Sequence, residues 1–216
     1  MAPTTRSPLR TAALLAYILA CLDETERARA LGEDTLERSR RVLGPDQMVT
    51  LGTATVLTLV LPRSAEAEQA RILGQDTLER SRRVLGPDHP ITLHAGSALA
   101  AALGWLGEAE QARRLGQETL ERYRRVLGPD HPFALASAAV LTLLLGWLGE
   151  VQQARRLGQD TVERYRRILG PDHPHTLRLA QVVDSPITEQ EQHQTDLLWF
   201  LRPHMTATPN EDQVQR

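Results

Sequence analysis

The chain contains no lysine: all 25 of its basic residues are arginine, set against 27 acidic residues for a formal net charge of −2. A chain so close to neutral exerts no strong field on a polyanion or an anionic membrane surface. A bias toward GC-rich codons explains the arginine monopoly and points to a high-GC bacterial source. Cysteine occurs once, at Cys21, so there is no intrachain disulfide framework and a reducing cytoplasm is the expected compartment. Aromatic residues make up only 4% of the chain, with no set suited to stacking nucleic-acid bases. No stretch reaches the ~20 apolar residues that span a bilayer. Catalytic signatures are missing too: no phosphate loop, since every "LGPD" lacks the Gly-Lys-Ser/Thr ending, no nucleophile elbow and no zinc motif. No enzyme activity, cofactor or metal is therefore expected.

What the chain has is alanine, leucine and repetition. Hydrophobic residues make up 41% of its 216 positions, a composition that favours closely packed helices. Leu43, Leu85, Leu127 and Leu169 each open an "LGPD", 42 residues apart every time. The twenty residues from Leu73 and the twenty from Leu115 agree at 16 positions. Self-similarity at this period marks stacked supersecondary units. Within one unit, "PITLHAGSALAAALGWL" places Leu93, Leu99, Ala100, Leu103 and Leu106 at helical spacing, with Pro90 suited to a first turn. After Gly107, "EAEQARRLGQETLERYRRVLG" places Ala109, Ala112, Gly116, Thr119 or Leu120, Tyr123 and Leu127 on one stripe. Glu110–Arg114 and Glu121–Arg125 stand in the favourable i,i+4 order for ion pairs. Gly128 and Pro129 end the second helix. A lone hairpin cannot bury its apolar faces, whereas stacked hairpins can. The fold expected is an all-α, right-handed superhelical solenoid of helix hairpins. Residues 1–184 hold about four and a half units, 185–204 a capping helix and 205–216 a disordered tail.

The helix A positions Leu99, Ala100 and Leu103 and the helix B position Ala112 fit the tetratricopeptide pattern, with Gly116 where a large residue is usual and Thr119 at the second small position. The 42-residue period and the "LGPDHPxTL" junction resemble the long tetratricopeptide repeats of kinesin light chain. They resemble still more the actinobacterial tandem arrays that are often attached to regulatory NTP-binding proteins. A HEAT-type array has a compatible period and is the structural alternative. In this register the apolar stretch Arg10–Asp23 is the first helix of the first unit, since Leu9, Leu15, Ala16 and Leu19 align with Leu93, Leu99, Ala100 and Leu103. The competing reading is a lipoprotein signal ending at Cys21. Cleavage there would cut the first hairpin.

Several repeated residues invite a chemical reading. His89, His131 and His173 occur once per unit, about 10 Å apart for packed helices. A shared metal needs ligands near 2 Å from one centre, so these are expected to cap turns. The "HPH" of His173–His175 has no accompanying ligand set. The block Arg38/Arg40/Arg41 recurs in each unit and stacks into a ladder on helix B, a possible track for a phosphate backbone. Glu37, Glu79, Glu121 and Glu163 recur beside it, so a self-paired, solvated face is the expected state. Gly32, Gly74, Gly116 and Gly158 lie inside helix B, at about 1 kcal/mol each relative to alanine, and are expected to admit a neighbouring helix.

The tetratricopeptide resemblance implies a concave groove lined by helix A and a protein or peptide partner. By position it assigns Arg10 and Tyr17 from the first unit, Thr55 and Leu59 from the second, and His94, Ser97 and Trp105 from the third. Ala139, Leu143 and Trp147 come from the fourth unit, Arg178 and Gln181 from the last helix. Tyr17, Leu59, Trp105, Leu143 and Trp147 would supply apolar contacts, and Arg10, His94 and Arg178 would orient the ligand. Aromatic anchors often dominate such binding, although Trp105 and Trp147 could equally pack at the corner between helices A and B. The expected function is a non-enzymatic scaffold that holds a peptide, helix or partner domain. The alternatives are a sensor arm working with an NTP-binding switch protein and nucleic-acid binding through the arginine ladder. The apolar cluster Leu197–Leu201 could cap the array, occupy the groove or mediate self-association.

Overall fold

The computed structural model describes residues 6–22, 24–61 and 66–184. The capping segment, the tail and the Leu197–Leu201 cluster lie outside these residues. Nine helices follow one another among the described residues: α1 (Arg6–Cys21), α2 (Thr25–Leu43), α3 (Met48–Val60), α4 (Ala67–Val84), α5 (Pro90–Trp105), α6 (Ala109–Leu127), α7 (Pro132–Trp147), α8 (Val151–Leu169) and α9 (Pro174–Asp184). They pair as hairpins in a right-handed solenoid. The odd-numbered A helices touch one another (α1 with α3, α3 with α5, α5 with α7), while the even-numbered B helices make no comparable contact among themselves. Curvature explains the difference: the inner layer follows the shorter path, so its helices crowd. α5 and α7, each packed between two B helices, are buried on nearly every side, from Ala134 without interruption to Gly146 in α7. Each B helix buries one stripe only; in α6 it is Ala112, Gly116, Thr119, Leu120 and Tyr123.

The junctions are built from local chemistry. The glycines that follow the B helices, Gly44, Gly86, Gly128 and Gly170, hold φ between 90 and 97°, where a side chain would clash with the backbone. Proline then opens α5, α7 and α9 at a position whose missing N–H costs nothing. The histidine before it caps the helix. Nδ1 of His89, His131 and His173 accepts the N–H of Ile91, Phe133 and His175, each at 3.2 Å. The expectation that these histidines serve as caps holds. No group of three or more potential metal ligands occurs among the described residues.

Two repeated devices lock unit to unit. The first is a glycine notch. A Cβ on Gly32 would lie 2.8 Å from Leu57, one on Gly74 2.8 Å from Thr58 and 3.1 Å from Leu99, one on Gly116 3.2 Å from Leu141, and one on Gly158 would collide with Val183. Each B helix thus receives a branched side chain of the next A helix against its backbone. The second is a carboxylate clamp. Asp46 accepts from Arg80 and Arg83 at 3.1 Å each, Asp88 from Arg122 and Arg125 at 3.0 and 2.7 Å, and Asp130 from Arg164 and Arg167 at 2.7 Å each. The clamp ties each loop between units to the far end of the following B helix. The facing guanidinium groups hold the Asp88 and Asp130 carboxyls below their usual range, with the bond from Arg122 or Arg164 the largest cause.

The clamp also corrects the i,i+4 expectation. Arg125 turns to Asp88 rather than Glu121, and Glu110 bonds Arg113 rather than Arg114, at 2.5 Å. A carboxylate in a neighbouring loop offers Arg125 a site shared with Arg122, which a partner on its own helix does not.

The notch yields a paired prediction. Gly74→Ala gains helix propensity but forces Thr58, a stiff and fully buried side chain, to move, so it should destabilise the fold by about 1 kcal/mol net. Gly52→Ala in α3, whose Cβ would meet nothing within 4 Å, should stabilise it by up to about 1 kcal/mol. Urea melts of the two variants provide the measurement; equal shifts would contradict the notch.

Candidate functional site

The twelve residues assigned to the groove separate by burial. Thr55, Ser97, Ala139 and Leu143 retain 5, 3, 0 and 2% of their surface, leaving a ligand almost nothing to touch. Ala139 and Leu143 belong to the main hydrophobic cluster, and the Thr55 hydroxyl donates to the Leu51 carbonyl at 2.9 Å. The cause is that α3, α5 and α7 are each packed between two B helices, which closes these positions. Arg10 and Gln181 are exposed, while Tyr17, Leu59, Trp105, Trp147 and Arg178 are half-buried.

His94 keeps some surface, but its ring is enclosed where α5, α6 and α7 meet. It stands edge-on to Phe133 at 4.4 Å and to Tyr123 at 6.0 Å between ring centroids. Burial pushes its pKa down to about 4, outweighing the hydrogen bond to the Pro90 backbone that favours the charged form. Its ring packs between Tyr123 and Phe133, so in this structure His94 has a packing role and offers no charge to a ligand near neutral pH. Tyr123 beside it is fully buried, and burial pushes its phenol pKa far up, with a smaller push from Tyr17 and an opposite pull from Ser97.

The two tryptophans close α5 and α7, in the repeated "GWLGE" of Gly104–Glu108 and Gly146–Glu150. Gly107 and Gly149, at φ of 73 and 75°, turn the chain into the next B helix. Between these corners lies a cavity of about 210 Å³ lined by Gly104, Trp105, Gly107, Ala109, Leu144, Trp147 and Leu148. Gly104 admits two of the lining side chains: a Cβ there would lie 3.2 Å from the Trp147 ring and collide with Leu144. The indole N–H groups of both tryptophans are shielded from solvent and have no acceptor among the described residues. A buried donor left unpaired costs about 1–3 kcal/mol. The tryptophans thus sit at the corner, as one of the two readings had it, and they form a recess there. The repeated "GWLGE" was the signal for its position. Leu144 and Leu148 carried no signal of their own in a uniformly apolar helix.

The arginine ladder is largely paired within the protein. Besides the clamps, Arg29, Arg71 and Arg113 reach Glu66, Glu108 and Glu150 of the next unit at 3.1, 3.6 and 3.4 Å, and Arg82 and Arg124 reach Glu118 and Asp160 at 3.1 and 3.7 Å. Paired guanidinium groups contribute little to a phosphate track. Among the described residues no helix is long and apolar enough to cross a membrane, and α1, ending at Cys21, packs on α2 through buried Leu9, Ala16 and Leu19.

Four consecutive matches to the tetratricopeptide repeat cover residues 9–47, 50–91, 92–133 and 134–175. Two crystal structures of the nearly identical TPR-like repeats of a Podosopora anserina protein, named as a kinesin light chain, resemble the fold. They align with TM-scores of 0.68 and 0.67 at 23% identity, covering 91% of this chain and 93 and 94% of theirs. BtubC (BKLC) from P. vanneervenii aligns with a TM-score of 0.63 at 16% identity over 88% of this chain and 78% of its own. No curated protein matches the sequence.

His94 supplies a pH prediction. Its folded pKa lies below the unfolded value, so its neutral form supports the fold above pH 6.5, and that support is lost as pH falls toward 4. Stability should drop by at most about 3 kcal/mol across that window, at about 1.4 kcal/mol per unit. In His94→Gln that part of the decline should vanish from urea melts run at each pH.

Proposed function

Because the chain belongs to the tetratricopeptide-repeat family, we propose that it is a non-enzymatic scaffold that binds a protein partner at the corner cavity between Trp105 and Trp147. The carrying observation is that cavity, which both tryptophans line. At about 210 Å³ it is larger than the ~150 Å³ apolar cavity that admits benzene, so it suits a leucine- or phenylalanine-sized side chain. Arg10, Tyr17, Leu59, Arg178 and Gln181 would extend the contact along the inner layer, while Thr55, Ser97, Ala139 and Leu143 set its shape from beneath. This division suits a rigid scaffold, in which the packed layer holds a few anchors in place.

The test is affinity purification from the native host with the wild-type chain and the Trp105→Ala/Trp147→Ala double variant. Partners held through the cavity should fall at least tenfold with the variant, an effect of about 1.4 kcal/mol or more. Equal recovery by both forms, with circular dichroism showing both folded, would refute the cavity as the site.

A further inference from the structure

The repeat register exposes a mismatch at the two ends of the array. On α1, Leu14, Leu15 and Ile18 are 57, 46 and 38% exposed. Their counterparts one unit later, Val56, Leu57 and Val60, are 7, 2 and 4% exposed, and Val182 and Val183 of α9 are each 6% exposed. In every later unit this face rests on the notch glycine of the preceding B helix: Leu57 on Gly32, Leu99 on Gly74, Leu141 on Gly116 and Val183 on Gly158. α1 carries the same face and has no B helix in front of it among the described residues.

At the other end the charges are incomplete. Arg155 and Asp172 have no counter-ion among the described residues, although their counterparts in every earlier unit do, and Arg166 lacks the partner that Arg82 and Arg124 have. α9 also stands without a B helix behind it there. Its Leu177 is 55% exposed, where Leu51, Leu93 and Leu135 are 1–2% exposed.

We propose that these ends fit each other, so that a second copy of this chain docks head to tail in the repeat register. The α1–α2 hairpin of one copy takes the place of α9 on α8 of the other. Shifted by four repeats, Leu15 falls where Val183 meets Gly158 and Leu14 where Val182 lies. Glu24 then answers Arg155 as Glu66 answers Arg29, Asp34 answers Arg166 as Asp160 answers Arg124, and Arg38 and Arg41 close on Asp172 as Arg80 and Arg83 close on Asp46. The exchange replaces an 11-residue helix by a hairpin in which Leu9, the counterpart of Leu177, is already buried. Two different surfaces meet, so the contact repeats from copy to copy and does not close at a dimer. Tethered α9 competes at an effective concentration on the order of millimolar, which places the association at high protein concentration. The contact uses the ends of the array and is independent of the tryptophan cavity.

Sedimentation velocity of the full chain from about 10 µM to about 1 mM, the range set by the tethered competitor, tests this at low salt. Glu24→Arg/Asp34→Arg and Arg155→Glu/Arg166→Glu change surface residues only and should leave helicity unchanged by circular dichroism. The wild-type mass should rise with concentration, each variant alone should associate at least tenfold more weakly, and an equimolar mixture of the two should recover association. Leu15→Glu, on an already exposed position, should abolish it. A wild-type chain that stays monomeric throughout, a mixture no better than its components, or association that survives Leu15→Glu would each overturn the proposal.

Discussion

The array depends on a missing side chain. Gly32, Gly74, Gly116 and Gly158 each sit inside a B helix, where glycine is about 1 kcal/mol less favourable than alanine. Each is kept company by a branched side chain of the next A helix at or inside contact distance. Helices can approach this closely only if one surface is backbone, and the close approach fixes where the next unit starts. Because the same notch recurs every 42 residues, one local rule propagates into a curved stack. The aspartate clamps act on the same joint from outside, holding loop and B helix together where the notch cannot reach.

The residues that look most like chemistry turn out to make the shape. Histidines at 42-residue spacing cap helices through Nδ1. The arginine blocks bond aspartates one loop away and acids one unit away. These ion pairs are mostly solvent-exposed, so each contributes little stability by itself, but their fixed geometry gives neighbouring units a common register. The proposed recognition site lies instead in what the repeat leaves unequal: the tryptophan corners, present in the third and fourth units, and the inner faces of the A helices, which vary from unit to unit.

Much of the fold was legible in the one-dimensional pattern. Period, helix pairing, glycine stops, proline starts and histidine caps are local, and each follows from backbone conformation or hydrogen-bond need within a few residues. The candidate site was legible only in part. Trp105 and Trp147 stood out by repetition, yet the same pattern nominated Thr55, Ser97, Ala139 and Leu143, which the structure buries. Helical spacing tells which residues share a face, but how far a face opens depends on which helices pack against it, a property of the superhelix as a whole.

The sequence alone determined that this is a solenoid of 42-residue hairpins, because a repeated apolar pattern that one hairpin cannot bury has to be buried by its neighbours. Only the tertiary structure decided which arginine meets which aspartate, that the His94 ring packs between Tyr123 and Phe133, and that a cavity opens between two corners. These are distances between residues far apart in the chain. They are set by the curvature that accumulates over many junctions, and no single junction encodes it.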